Sequence, residues 1–324
     1  MPVPNLGQTV AMAWEAHVGT TPYDNINNEY WMFDNLSKGE SFESIDGGRT
    51  INGPIEYALN TTVNSYTDTS PIDVTRVDVF DEFQYSWKEY AGTVVMSELE
   101  KAKNQGSGRK FDLLEAKLKN LKNSFAARLN TDMFADGTGN ANLNLGGLAL
   151  IVSSTPTTGS VGGINRATFT FWRNQQTSGA KSATAFDNLR ASMRTIYNQS
   201  SAGVDAQHPE YAVTDLTDFA GFESLLIANE RVTGKAKEDG NAGFRNEYLM
   251  FKDIPVSYDL ACPSGTMYLL NYRDLKLGYQ KGEWMKGFPA VEPANQTIEV
   301  FKVVTIANLF STNPRRLGVI TGIT

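Results

Sequence analysis

The stretch GGRTINGPIEYALNTTVNSYTDTSPIDVTRVDVFDEFQYSWKEY, from Gly47 to Tyr90, decides the architecture. Its two ends alternate with period two. Ile51, Ile55 and Tyr57 hold odd positions in the first run, Arg49 to Tyr57. Val77, Val79, Phe83, Tyr85 and Trp87 hold them in the second, Arg76 to Lys88, with Asp81 as the exception. Such alternation marks β-strands that offer one apolar face. The second run covers about 13 residues, roughly 43 Å at ~3.3 Å each, against about 5–6 residues in an ordinary strand. Asn60 to Pro71 between them is polar, so the pair reads as a long hairpin with a polar tip. A lone hairpin is marginal in water, and its open edges invite aggregation. The expectation is therefore a covering surface, either a second copy of the chain or a larger sheet of the same chain on which the hairpin folds back.

Upstream, residues 1–45 read as an arm. Leu6, Val10 and Trp14 recur at every fourth position, as on a short helix. Tyr30, Trp31, Phe33 and Leu36 crowd together after Pro22, on a second short helix. So many aromatic side chains outside a core element need a surface, on the chain's own body or on a neighbouring subunit.

Downstream, Phe111, Leu114, Leu118, Leu121, Phe125, Leu129 and Met133 step by three or four and share one helical face. A helix over Arg109–Phe134 follows, about 36 Å from Phe111 to Phe134 at ~1.5 Å per residue. Ser107 or Gly108 precedes it and Gly137 stops it. Lys110, Lys117, Lys119, Lys122 and Arg128 occupy its other faces and read as solvated. Leu148 to Val152 is an apolar run, and Thr155 to Gly163 a linker. Beyond it, strands and helices mix. Helical faces run through Phe186, Leu189, Met193 and Ile196, and through Phe219, Phe222, Leu226 and Ile227, the second capped by Asp215. Strands are expected at Tyr211–Val213, Phe251–Tyr258, Met267–Leu277 and Ile298–Leu309, with a turn at Cys262–Gly265. The fold class is α+β.

Composition excludes several roles. The 324 residues are 41% hydrophobic and 20% charged, which is globular, and long enough for one large domain or two ordinary ones. No apolar run reaches the ~18 residues of a membrane span, and Met1 to Leu6 carries no secretory signal. The single cysteine, Cys262, rules out an internal disulfide and a cysteine metal cluster. The net charge is −7, and no basic stripe marks a nucleic-acid binder. The only histidines, His17 and His208, lie far apart and leave little room for a histidine-based triad or metal site. Ser178-Gly179-Ala180-Lys181 matches Ser-x-x-Lys but lacks its companion motifs. No catalytic, cofactor or metal site is expected.

The succession of elements resembles the Hong Kong 97-type major capsid proteins of tailed phages. The resemblance is carried by GGRTINGPIEY (Gly47 to Tyr57), FDLLEAKLKNLKNSFAARLNTDMFADGTGN (Phe111 to Asn140), GGLALIV (Gly146 to Val152) and FKDIPVSYDLACPSGTMYLLNYRDLKL (Phe251 to Leu277), and it covers nearly the whole chain. It implies an N-terminal arm at 1–45, an extended hairpin loop at 46–90, and a peripheral domain with its spine helix at 91–161. An axial domain at 162–265 and return strands at 266–324, whose C-terminal end can join the axial domain, complete it. It further implies a structural protein that self-assembles into pentamers and hexamers of an icosahedral head. Such a head forms in the host cytoplasm, encloses double-stranded DNA without specific binding, and works with scaffolding, portal and decoration proteins. Trp14, Trp31, Phe33, Ile51, Ile55, Tyr57, Val77, Val79, Phe83 and Tyr85 are the expected subunit contacts. Family maturation rotates domains and bends the spine, which the long thin helix and a hinge at Gly47–Gly48 would allow. Some members carry a leading scaffold-like segment and a cross-linking lysine on the extended loop. Here the chain reaches its arm at once, so either a separate scaffold or none is expected; Thr61 to Val74 has no lysine and Lys88 lies near the base, so a non-covalent shell is expected. The rival readings are an encapsulin-like compartment shell and a phage surface binding protein.

Overall fold

The computed structural model describes residues 30–38, 40–104, 113–178, 186–201, 208–229, 249–252 and 254–323. Two sheets organise them. The first is built around one long strand, β14 (Ile298–Ser311), whose run of β-branched residues suits a pleated surface. Along one edge β14 pairs antiparallel with β4 (Lys88–Ser97), from Ile298↔Ser97 to Ala307↔Lys88. Along the other it pairs with β12 (Leu275–Gln280) and then β13 (Lys286–Gly287). β1 (Phe42–Ile45) lies parallel to β12 and closes that side.

The long helix, α3 (Leu113–Phe134), crosses the inner face of β4. Gly92 makes the approach possible. A Cβ there would fall 2.7 Å from both Leu121 Cδ1 and Phe125 Cε2. Leu113, Phe125, Leu129 and Met133 are buried, whereas Leu114, Leu118 and Leu121 are half-buried. Phe111 and the expected helix start at Ser107 or Gly108 lie outside the described residues.

The second sheet has the order β7 (Gln175–Thr177), β15 (Gly318–Thr321), β11 (Thr266–Leu270), β8 (Tyr211–Thr214), β10 (Ile254–Tyr258), β9 (Leu249–Phe251). Alternation sorts its side chains. Ala212, Met267, Leu269 and Ile320 join Leu189, Met193 and Ile196 of α5 (Phe186–Ser200) and Phe222 of α6 (Leu216–Asn229) in one core. Tyr211, Val213, Tyr268, Leu270 and Val319 face the other way, into the large core shared with α3 and the first sheet. The expected strand Met267–Leu277 is therefore two strands in different sheets, β11 and β12. The turn Asn271–Asp274 carries the chain between them, and β11 and β15 share a sheet with β8 and β10. Phe251–Tyr258 is likewise two strands, parted at Lys252 with φ +48°.

Residues 31–38 and 40–45 are part of this body. α1 (Trp31–Lys38) buries Met32 and Leu36 completely. Asp259, buried at the end of β10, accepts from Met32 N (3.0 Å) and from Asn130 Nδ2 (2.8 Å). Asn130 Oδ1 accepts from Phe33 N (3.0 Å). A carboxylate at the first turn of a helix satisfies orphan N–H groups and complements the helix dipole. One buried network thus ties α1, α3 and the second sheet together.

Past α3, Asn140, Ala141 and Asn142 take φ values of 51°, 55° and 65°, one turn of left-handed backbone. Asparagine tolerates this region, but alanine's Cβ makes it cost roughly 1–2 kcal/mol. Ala141→Gly relieves that strain and gives back part of it as unfolded-chain entropy. A net gain of about 0.5–1 kcal/mol is expected, read as a higher urea midpoint with unchanged slope.

Candidate functional site

The hairpin divides into a seated base and a projecting tip. In the base, β2 (Thr50–Glu56) pairs with β3 (Phe80–Ser86) from Thr50↔Ser86 to Glu56↔Phe80. Ile51, Phe83 and Tyr85 face the body and are buried. The Phe83 ring lies over Gly53, where a Cβ would fall 2.3 Å from Phe83 Cζ. It stacks with Trp172 (6.1 Å between centroids) and Phe310 (6.0 Å), and meets Tyr85 edge-on at 5.8 Å. Burial pushes the Tyr85 phenol well above its ordinary range. The turn between β5 (Ser160–Val161) and β6 (Ile164–Asn165) holds β3 as well: Gln84 N donates to Gly162 O at 2.9 Å.

The expected second strand does not run unbroken through Trp87. There the chain leaves β2 for β14, and its inward positions change from odd (Phe83, Tyr85) to even (Val94, Met96). Trp87 Nε1 donates to Gly48 O (3.0 Å), and Asn308 Nδ2 to Ser86 O (2.8 Å), which fixes the crossing.

The tip begins where the ladder ends. Its last rung is Tyr57 N to Val79 O, 3.0 Å, beside the Tyr57 ring stacked on Phe171 at 5.2 Å. Between them no regular element forms. Local side-chain turns shape the segment. Asn60 Oδ1 accepts from Thr62 N (3.0 Å) and Oγ1 (2.8 Å). Asp73 Oδ1 accepts from Thr75 N (2.9 Å) and Oγ1 (2.6 Å), and these bonds hold the Asp73 carboxyl below its usual range. Leu59, Val63, Tyr66, Ile72 and Val74 are 65% to 91% exposed. Asp68, Asp73 and Asp78 outnumber Arg76 along the same stretch. The tip is an apolar surface with an acidic frame, and single exposed apolar residues are ordinary where such a cluster is not.

The expected contact residues separate accordingly. Ile51, Phe83 and Tyr85 are covered by their own chain and leave nothing for a neighbour, because the hairpin base folds back onto the body. Trp31 packs on Tyr211 (5.8 Å) and Phe33 on Trp284 (6.3 Å), also within the chain. Ile55 and Tyr57 are half-buried, and Val77, in the tip, and Val79, at its border, stand partly exposed outside any strand. Trp14 lies outside the described residues. The five most exposed apolar tip residues went unread in the sequence because they keep no period among polar neighbours. Their signal was composition: large apolar side chains in a segment too polar to bury them.

A second open surface lies on the outer face of the first sheet. Register places Val95 opposite Val300 and Val300 opposite Val291 in one row across the strands. Val95, Val291 and nearby Phe288 are about half exposed, and Lys302, opposite Thr93, is exposed beside them. Among the described residues no cluster of three or more His, Cys, Asp or Glu is arranged to hold a metal ion. No described helix is long and apolar enough to cross a membrane.

No protein-family model and no curated protein sequence matches the chain. Solved structures do. The capsid asymmetric unit of cyanophage A-1(L) is 17% identical, with 96% of this chain and 97% of that chain covered at a TM-score of 0.68. The capsid of Myoviridae phage XM1 is 10% identical, with 95% and 97% covered at 0.57. The SrpI encapsulin complex from Synechococcus elongatus PCC 7942 is 10% identical, with 100% and 96% covered at 0.61. The likeness runs from end to end in each case, and the α+β fold of this chain is the Hong Kong 97-type capsid fold.

Proposed function

We propose that this chain is the major capsid protein of a tailed phage, a structural subunit that assembles with copies of itself into pentamers and hexamers of an icosahedral head. The observation that carries the reading is the projecting tip, an exposed apolar surface on a chain whose fold is that of shell proteins. In the assembled head the second sheet, with α5 and α6, forms the axial unit around the symmetry axes. The first sheet and α3 form the peripheral unit. The tip of one copy lies on the outer sheet face of the next. There Leu59, Val63 and Val74 meet Val95, Val291 and Phe288, and the acidic frame meets Lys302. Each contact is modest, but closure of a lattice repeats it and makes the contacts cooperative. The head encloses double-stranded DNA by containment, in keeping with the net charge of −7. Scaffolding, portal and decoration proteins are its further partners. The virion is its final location, reached from the host cytoplasm.

The encapsulin likeness, which extends over the whole of this chain, favours a second reading as a compartment shell. Electron microscopy of the purified chain tests both. Closed shells, tubes or five- and six-membered rings are the expected result. They dissolve on a denaturing gel to the single-chain band, since no lysine lies between Thr61 and Val74 to cross-link them. Nucleic acid inside native particles separates a phage head from a compartment. A chain that stays monomeric at every concentration, with or without a scaffold, removes the proposal.

A further inference from the structure

We infer that the hairpin moves about a pivot at Tyr57 and Val79, not about the glycine pair Gly47–Gly48 at its root, so that β2 and β3 are a fixed part of the body and only residues 58–78 reorient against a neighbouring copy. The inference rests on the assembly reading above and concerns which part of the hairpin adapts to the lattice.

A swing at Gly47–Gly48 would have to carry β2 and β3 with it. Those strands are held on three sides. Ile51, Phe83 and Tyr85 sit in the large core with Trp172 and Phe310, contributed by segments far along the chain. Gln84 N is bonded to Gly162 O, and Gly162 packs so closely that a Cβ there would lie 2.9 Å from the Tyr85 ring. Trp87 Nε1 bridges to Gly48 O and spans the proposed root itself. The positive φ values of Gly47 (68°) and Gly48 (97°) therefore describe a fixed corner between β1 and β2. Lifting the base would expose several buried aromatic rings at once, whereas turning the tip breaks none of these contacts. Above the Tyr57–Val79 rung the hydrogen bonds are local, within Asn60–Thr62, Thr67–Ser70 and Asp73–Thr75. The tip can reorient as a small unit while those turns stay intact. The Tyr57–Phe171 stack marks the border.

The geometry supplies a direct test. A Cβ built on Gly163 lies 3.9 Å from the Gln84 Cβ, close to the ~3.8 Å mean of disulfides. The paired substitution Gln84→Cys with Gly163→Cys, oxidised in the purified chain, clamps the base to the body. The native Cys262 is buried and does not compete. Gly163 has φ +79°, so a side chain there is strained in both redox forms. The oxidised variant is therefore compared with the same variant under reductant. Equal yields of particles by sedimentation and microscopy, oxidised and reduced, are the expected result. Particles that form only after reduction overturn the pivot at Tyr57–Val79 and leave the assembly reading standing.

A second measurement does not depend on assembly. In the unassembled wild-type chain, the amide hydrogens of β2 and β3 that pair across the hairpin exchange on the timescale of β8 and β11, and roughly a thousandfold more slowly than those of 58–78. Base and tip exchanging together, at the rate of the tip, would also overturn it.

Discussion

Replacing Leu59 and Val74 together with aspartate abolishes particle formation while the folded subunit melts within about 2 °C of the parent. These are the two most exposed large apolar residues among those described. Neither contributes to the core, and exposed substitutions of this kind usually stay within about 0.5 kcal/mol. Their value lies in a contact that the free chain does not make. Two added charges beside Asp68, Asp73 and Asp78 must be desolvated against a largely apolar sheet face, and a buried unpaired charge costs several kcal/mol. The lattice multiplies that loss over every repeat. Sedimentation velocity and calorimetry on one preparation measure both quantities. Particles of normal size, or a large fall in melting temperature, would each show that the tip is not an assembly surface.

Phe83→Ala, only nine residues further along, has the opposite profile. Its ring is buried among Tyr85, Trp172 and Phe310 and lies on Gly53. Truncating a buried phenylalanine costs about 3–5 kcal/mol, the transfer term plus the cavity left behind. Gly53 makes the upper part of that range appropriate, since no side chain beneath the ring can relax into the space. Urea unfolding should lose that stability with little change in slope. A loss below about 1 kcal/mol would mean that the hairpin base is not seated in the core. One hairpin thus holds two kinds of residue: those whose removal unfolds the subunit and those whose removal only isolates it.

The sequence made the hairpin, the long helix and the mixed α+β body legible because each rests on local periodicity. Ile51, Phe83 and Tyr85 alternate as a strand face should, and Leu114 to Met133 step as a helix face should. What covers those faces was not legible. Period two says that one side of a strand is apolar, and it says the same whether the cover is Trp172 and Phe310 of the same chain or a neighbour. The break at Trp87 escaped for a related reason. A change of pairing partner from β2 to β14 depends on residues more than two hundred positions away, and Trp87 itself is as good a strand residue as its neighbours. At the tip the failure ran the other way: Leu59, Val63 and Val74 keep no period, and a segment shaped by Asx-type turns at Asn60 and Asp73 reads as loop.

The first sheet also sets a clock. β1 pairs with β12, and β4 with β14, so strands begun near residues 42 and 88 wait for partners that end at residues 280 and 311. At a synthesis rate of roughly 5–20 residues per second, β4 is idle for on the order of 10–40 s before Ser311 emerges. Throughout that interval Phe83 lacks Phe310, so the hairpin base keeps one apolar side open beside the tip even after Trp172 has been made. During its own synthesis the chain therefore carries both apolar surfaces at once. Only the arrival of β14 separates the one that belongs inside the subunit from the one left for its neighbours.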